Sequence, residues 1–168
     1  MFLAIGRLHP QKGFDILLTA MARVRDQAPQ WRLVILGEGD LRSRLESLVA
    51  THDLEAVVTL PGRVADPWPW LLAADAFVLS SRSEGFPNAL CEAMVAGVPV
   101  VSADCPSGPR DIITDGEDGL LVPAGDPSAL ADGMLALASD AALRRRLGTR
   151  ARAIGDRYGL TPVLAQWD

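Results

Sequence analysis

The chain has 168 residues, of which 49% are hydrophobic and 22% are charged, a composition typical of one globular domain with a sizeable core. Its formal net charge of −5 gives no electrostatic reason to expect a nucleic acid or an anionic membrane surface as partner. The two cysteines, Cys91 and Cys105, have no paired spacing, which favours a reduced, cytoplasmic setting over a disulfide framework.

Apolar runs alternate with helical patterns along the whole chain. The runs predict strands at residues 2–5, 32–36, 57–60, 76–80, 98–102 and 119–122. Helices are predicted at residues 14–27, 41–51, 67–73, 88–96, 109–113, 127–138 and 141–157. The first apolar run is too short for a signal peptide or a membrane span.

This alternation predicts an α/β fold, because continuous apolar strands separated by helices form parallel sheets that are covered on both faces. Right-handed crossovers then favour a doubly wound, Rossmann-like parallel sheet of about six strands with helices on both faces. No repeat or interdomain linker is visible, so residues 1–168 are interpreted as a single domain. Ligands of such domains bind at the carboxyl ends of the strands.

The turn after the fourth predicted strand is the most informative stretch. Residues 83–93 read Ser-Glu-Gly-Phe-Pro-Asn-Ala-Leu-Cys-Glu-Ala. Pro87 suits the first turn of a helix, which predicts free N–H groups on Asn88, Ala89 and Leu90 and hence an anion site. Glu84 is expected at the mouth of the loop and Glu92 one to two turns into the helix. Carboxylates in these places suit the hydroxyl groups of sugars.

This stretch resembles the E-x7-E signature of the family 4 retaining glycosyltransferases, which have the GT-B fold. Residues 6–13 are similar to the family's Gly-Arg-Leu-x-x-x-Lys-Gly loop, and residues 115–122 to its Asp-Gly-x-x-Gly-Leu-Leu-Val strand. Residues 36–42 and 60–64 resemble its second and third strand turns. Together the matches follow the family's order over residues 2–155.

The resemblance implies a role for each matching residue. Arg7 and Lys12, the chain's only lysine, would face the diphosphate of a nucleotide sugar and stabilise the leaving group. Glu84 would contact the transferred sugar and Glu92 the ribose. The remaining residues that the resemblance implicates would contact the nucleobase or the phosphates, or would shape the loop: Gly6, Arg63, Val64, Phe86, Pro87, Asn88, Ala89 and Leu90. For Arg63, an exposed charge at the rim is an equally open interpretation.

The implied protein is the donor-binding half of a retaining hexosyltransferase that uses a nucleotide sugar, with UDP-hexose as the expected donor. Neither a metal nor another cofactor is expected, because no cluster has ligand spacing. The acceptor-binding domain, expected ahead of this chain in the family, is absent, so the domain alone is expected to be inactive. One candidate partner of the intact enzyme is a membrane-associated acceptor.

Three alternatives stay open from the sequence. Two are related GT-B enzymes, a sugar-nucleotide epimerase and a glycan synthase. The third is a non-catalytic module that binds a nucleotide sugar, although retention of both cations and both carboxylates speaks against it. A dehydrogenase is disfavoured, since no G-x-G-x-x-G follows the first strand.

Overall fold

The computed structural model describes residues 1–155 of the chain. Six strands are present in this part: β1 (Phe2–Ile5), β2 (Leu33–Leu36), β3 (Val58–Gly62), β4 (Ala76–Leu79), β5 (Val100–Asp104) and β6 (Leu120–Pro123). The same residues form seven α-helices: α1 (Phe14–Gln27), α2 (Arg42–Thr51), α3 (Trp68–Ala73), α4 (Asn88–Val95), α5 (Pro109–Ile112), α6 (Pro127–Ser139) and α7 (Ala141–Ala151). A short 3-10 turn, Pro10–Lys12, precedes α1.

The strands form one parallel sheet in the order β3-β2-β1-β4-β5-β6. The chain therefore builds outwards from β1 to β3, crosses back, and continues from β4 on the other side of β1. This order confirms the predicted doubly wound fold, and its switch point lies between β1 and β4. The loops that follow these two strands leave the sheet on opposite faces and open a crevice between them.

Two hydrophobic cores cover the two faces of the sheet. Along β1, Phe2 and Ala4 face a core that contains α1, α2 and α6, whereas Leu3 faces a core that contains α3 and α4. This alternation is the period of two that any strand imposes on its side chains. Because both faces are covered, the central strands β1, β2 and β4 read as continuous apolar runs, which is the pattern that predicted them.

Most predicted boundaries agree with the structure within two residues. Strand β5 begins at Val100, two residues later than predicted, because Gly97 has a φ of 80° and Pro99 has no amide hydrogen to donate. Helix α7 ends at Ala151 and not at residue 157. The last two residues of that predicted helix, 156 and 157, lie outside the described part of the chain.

Candidate functional site

The loops after β1 and β4, residues 6–13 and 80–87, are hydrogen-bonded to each other at the switch point. The Ser80 hydroxyl donates to the Lys12 carbonyl at 2.8 Å, and the Arg82 amide donates to the Gln11 carbonyl at 2.8 Å. The Gln11 side-chain amide donates to the carbonyl of Ser83 at 2.9 Å. These bonds place the first and fourth loops of the sheet edge in a fixed relation.

A buried ion pair lies inside this joint. Lys12 Nζ donates to Oε1 of Glu84 at 2.7 Å, and the Ser81 hydroxyl donates to the same oxygen at 2.5 Å. The Glu84 side chain is only 4% exposed and that of Lys12 is 22% exposed. The expectation that Glu84 hangs at the mouth of the loop is therefore wrong. It folds inwards because an ammonium and a hydroxyl are available there to satisfy its charge.

The start of α4 differs from the prediction. Pro87 is the residue before the helix and not part of its first turn. The amides of Asn88 and Leu90 donate to the carbonyls of Phe86 and Pro87, at 3.0 and 2.9 Å, so the prediction that they are free is wrong. A tight turn at the helix start uses them. Within the described residues only Ala89, of the three, has an amide without a backbone acceptor.

Two further predicted residues lie on this segment with their side chains accessible. Glu92 is half-buried on α4, and neither a hydrogen bond nor an ion pair reaches its carboxylate from residues 1–155. Phe86, in the loop before α4, is 48% exposed. Next to Glu92, burial, with a smaller contribution from the Glu92 charge, raises the pKa of the Cys91 thiol to about 11. Cys91 packs against the core that contains α3 and α4, and a thiol this weakly acidic is a poor nucleophile.

A cleft of about 400 Å³ opens beside the β1 loop. Its lining comprises Ile5, Gly6, Arg7, Leu36, Gly37, Glu38, Arg63, Val64 and Pro67. Arg7 and Arg63 are exposed at this cleft, and neither has an ion-pair partner in the described part of the chain. The walls approach closely, since a Cβ on Gly37 would lie 1.8 Å from the carbonyl oxygen of Gly6.

Six of the predicted residues thus lie at the start of α4, while the structure brings the other six together in two adjoining groups. Four of them, Gly6, Arg7, Arg63 and Val64, line the cleft, and Lys12 and Glu84 form the pair in the joined loops. Glu38 was not among the predicted site residues, although its carboxylate lines the cleft and accepts two hydrogen bonds from Arg42, at 2.8 and 2.6 Å. Because Glu38 lies in the loop before α2, the helical i,i+4 rule does not apply to this pair, and no local pattern predicted it.

Residues 1–155 contain no group of three or more histidine, cysteine, aspartate or glutamate side chains that could hold a metal ion. No helix in the described part combines the length and the apolar character that a membrane crossing requires.

Comparison with known proteins gives a consistent result. The sequence model of the glycosyl transferases group 1 family matches residues 1–154. A phosphatidyl-myo-inositol mannosyltransferase of Mycobacterium leprae is 36% identical over 169 residues, which cover 98% of this chain and 44% of the relative. An exopolysaccharide phosphotransferase of Streptomyces coelicolor is 38% identical over 163 residues, 96% of this chain but 17% of the relative. The chain spans less than half the length of these relatives.

Solved structures show the same architecture. TarM of S. aureus, in complex with fondaparinux, alpha-GlcNAc-glycerol and UDP, superposes with a TM-score of 0.94 at 28% identity, over 99% of this chain and 34% of TarM. Anabaena HepE, in complex with UDP-glucose, gives 0.91 at 25% identity, over 98% of this chain and 46% of HepE. The C-terminal domain of LpcC, a glycosyl transferase group 1 family protein of Francisella tularensis, gives 0.84 at 26% identity, and 85% of that domain is covered by 94% of this chain.

Proposed function

Because the chain belongs to the glycosyl transferases group 1 family, we propose that it is the donor-binding domain of a retaining hexosyltransferase and that its donor is a UDP-hexose. The observation that carries the proposal is the convergence of Arg7, Lys12 and Glu84 at the β1/β4 switch point, beside a cleft lined by Gly6, Arg63 and Val64. The presence of UDP or UDP-glucose in the TarM and HepE complexes supports this choice of nucleotide.

The diphosphate contacts the two cations in this proposal. Negative charge builds on the diphosphate as the bond to the sugar breaks, and fixed cations stabilise it without the reorganisation that water would need. Arg7 is exposed and accessible at the cleft. Lys12 already holds Glu84, so the phosphate oxygens compete with that carboxylate for the ammonium. The Ala89 amide at the start of α4 is the remaining phosphate donor.

The two carboxylates take the two hydroxylated parts of the donor. Glu92 binds the ribose hydroxyls, since it stands on α4 with its carboxylate unengaged by residues 1–155. Glu84, once the phosphate shares Lys12, accepts from hydroxyls of the transferred hexose. Phe86 and Pro87 shape the loop between these contacts. The nucleobase enters the cleft beside Val64, where its walls are largely apolar.

The acceptor belongs to another domain in this proposal. The chain spans less than half of its curated relatives, and transfer needs both reactants held in register. We therefore expect the 168 residues to bind the donor but not to form a glycoside. A membrane-associated molecule is the candidate acceptor in this proposal, and the acceptor-binding domain holds it. In this proposal Arg7 and Lys12 neutralise the negative charge of the diphosphate, so no metal ion is required.

One observation favours a second candidate. The Streptomyces coelicolor relative contains a match to almost all of this chain in 17% of its own length, so the domain also occurs within a much larger protein. We infer from this, as the second candidate, that the present chain is a module of a larger protein and binds a nucleotide sugar without completing a transferase site. Acceptor-dependent product formation by the whole protein separates the two candidates.

Calorimetric titration of the 168-residue chain with UDP, GDP and ADP, each with and without a hexose attached, tests the proposal. We expect saturable binding of UDP and tighter binding of a UDP-hexose. Absence of binding by all six ligands contradicts both candidates. Preference for GDP or ADP keeps the transferase but corrects the donor, and rapid acceptor-dependent transfer by this chain alone overturns the two-domain interpretation.

A further inference from the structure

Arg82 joins the two loops of the site on their solvent-facing side. Its Nη1 and Nη2 atoms donate to Oδ1 and Oδ2 of Asp15 at 2.8 and 2.7 Å. Nη1 also donates to the Pro10 carbonyl at 2.9 Å. Two parallel bonds between a guanidinium and a carboxylate fix orientation as well as distance, which a single bond does not. We call the contacts of Arg82 with Asp15 and Pro10 the Arg82–Asp15 clasp.

The clasp lies next to both members of the buried ion pair in the chain. Asp15 follows Lys12 by three residues, and Arg82 precedes Glu84 by two. Neither clasp side chain hydrogen-bonds to Lys12 or Glu84 in the described part of the chain. A change in the clasp therefore acts on the pair indirectly, through the short backbone segments between them and the Arg82 amide–Gln11 and Gln11–Ser83 hydrogen bonds that join the same loops.

Surroundings favour this pairing over other arrangements of the two side chains. Asp15 stands in the first turn of α1, a helix whose N-cap, Gly13, supplies no side-chain hydrogen bond, so a carboxylate is stabilised there by the helix dipole. The hydrogen bond from Arg82, opposed by partial burial, lowers the pKa of Asp15. Both side chains are partly exposed, at 42% and 32%. Pairs of that exposure contribute little to global stability, so the consequence of the clasp is geometric.

We propose that Arg82 is a positioning residue of the donor site: through Asp15 it fixes the β4 loop on the start of α1 and so sets the separation of the Lys12 ammonium from the Glu84 carboxylate. The ligand is the nucleotide sugar of the proposed function, on which this part of the inference rests. The proposed coupling between the two loops does not depend on that function, because it is inferred from the hydrogen bonds of Arg82, Asp15, Lys12 and Glu84 alone. Arg82 itself touches no part of the donor in this proposal.

The chain offers a direct probe, because Lys12 is its only lysine. Trace acylation with acetic anhydride, followed by peptide mass spectrometry, measures the reactivity of the Lys12 amine without any ligand. An ammonium that is held by Glu84 and mostly covered reacts slowly. We expect Arg82→Ala and Asp15→Asn each to speed acylation of Lys12 by about three- to tenfold, the range for loss of a charge-assisted contact. Arg82→Lys, whose added amine lies in a different peptide from Lys12 and is counted separately, should restore part of the protection, since an ammonium keeps the charge but not the planar pair of donors.

Arg23→Ala is the matched control. Arg23 pairs with Asp132 between α1 and α6, with side chains 41% and 62% exposed, and it lies outside both site loops. We expect this variant to leave the acylation rate of Lys12 unchanged, whatever it does to the thermal midpoint. The double variant Arg82→Ala/Asp15→Asn should match Arg82→Ala, because Arg82→Ala already removes every contact of the clasp.

Titration of the same variants with UDP-hexose gives the second readout. We expect Arg82→Ala to weaken binding by about three- to tenfold and Arg23→Ala to leave it unchanged. Wild-type acylation of Lys12 in both Arg82→Ala and Asp15→Asn overturns the inference, even if the nucleotide binds. If the wild-type chain binds no nucleotide, the proposed function fails, whereas the acylation rates still decide the coupling.

Discussion

The Lys12 ammonium and the Glu84 carboxylate neutralise each other across the two loops of the site, with Nζ and Oε1 2.7 Å apart. Arg7, the other cation of the proposed diphosphate contact, is exposed and has no such partner among residues 1–155. Lys12 therefore also stabilises the folded loops, whereas Arg7 does not, although both are proposed to contact the diphosphate.

Replacement of each cation by alanine separates stabilisation of the loops from ligand binding. Arg7→Ala and Lys12→Ala should each weaken UDP binding by ~1.5–3 kcal/mol, since each removes a charge-assisted contact. Lys12→Ala should also lower the free energy of unfolding by about 1–3 kcal/mol, because the mostly buried Glu84 carboxylate keeps only Ser81 as its partner. Arg7→Ala should leave it nearly unchanged. Calorimetry and urea denaturation measure the two effects, and wild-type affinity in both variants would remove the diphosphate assignment.

The two carboxylates are separated by the ligand that they affect. Glu92→Gln should weaken UDP and UDP-hexose alike by ~1–3 kcal/mol, because the ribose is common to both ligands. Glu84→Gln should not weaken UDP binding, because it frees Lys12 from the carboxylate with which the phosphates otherwise compete, and should reduce the extra affinity of the hexose conjugate. In the longer enzyme Glu84→Gln should also lower turnover. Titration of both ligands into both variants is the test, and equal effects of the two substitutions on UDP would refute this division.

Gly13 and Gly116 allow backbone strain to be separated from steric conflict. Their φ angles are 62° and 72°, so alanine at either position costs about 1–2 kcal/mol for a left-handed conformation. A Cβ on Gly13 would also lie 2.1 Å from the Ser80 carbonyl oxygen, whereas a Cβ on Gly116 meets nothing within 4 Å. Both substitutions should lower the free energy of unfolding. We expect the loss for Gly13→Ala to exceed that for Gly116→Ala by about 1–3 kcal/mol. Equal losses in urea denaturation would mean that the loops separate without cost.

Acid should weaken the Arg82–Asp15 clasp. The hydrogen bond from Arg82 lowers the pKa of Asp15 in the folded protein, so the stabilisation is fully present above the unfolded-state pKa of about 4 and is lost as the pH falls through the lower folded-state pKa. The wild-type chain should therefore exceed Asp15→Asn in free energy of unfolding at neutral pH by only about 0.2–1 kcal/mol, as expected for a pair this exposed, and the gap should narrow below about pH 4. Urea denaturation between neutral and acid pH measures it. In an Arg82→Ala background the gap should be small at every pH.

The sequence predicted the six strands and the sheet edge to which the motif-bearing loops lead, because these depend on local patterns. Apolar runs mark strands buried on both faces, and parallel strands carry their following loops to one edge. Burial of Glu84 could not be predicted in this way. It depends on Lys12, which is 72 positions away and becomes a neighbour only because β4 lies beside β1. Periodicity identifies strands but does not say which of them are adjacent.

The hydrogen bonds at the start of α4 were beyond local reasoning for a different reason. A proline in the sequence is compatible with the first turn of a helix and with the residue before it. Which one occurs decides whether the amides of Asn88 and Leu90 stay available. In the structure Pro87 precedes the helix, and its carbonyl and that of Phe86 accept these amides.

The adjacency of β1 and β4 also sets the order in which the protein can become competent to bind. Strand β1 can pair with β2 early, over a modest loop, but its pairing with β4 must close a much longer stretch of chain before any contact repays the lost entropy. The proposed donor contacts draw on both sides of that closure. A nascent chain that has emerged only as far as β3 has half a sheet and lacks Glu84 and Glu92, so binding of the complete donor marks completion of the long-range step.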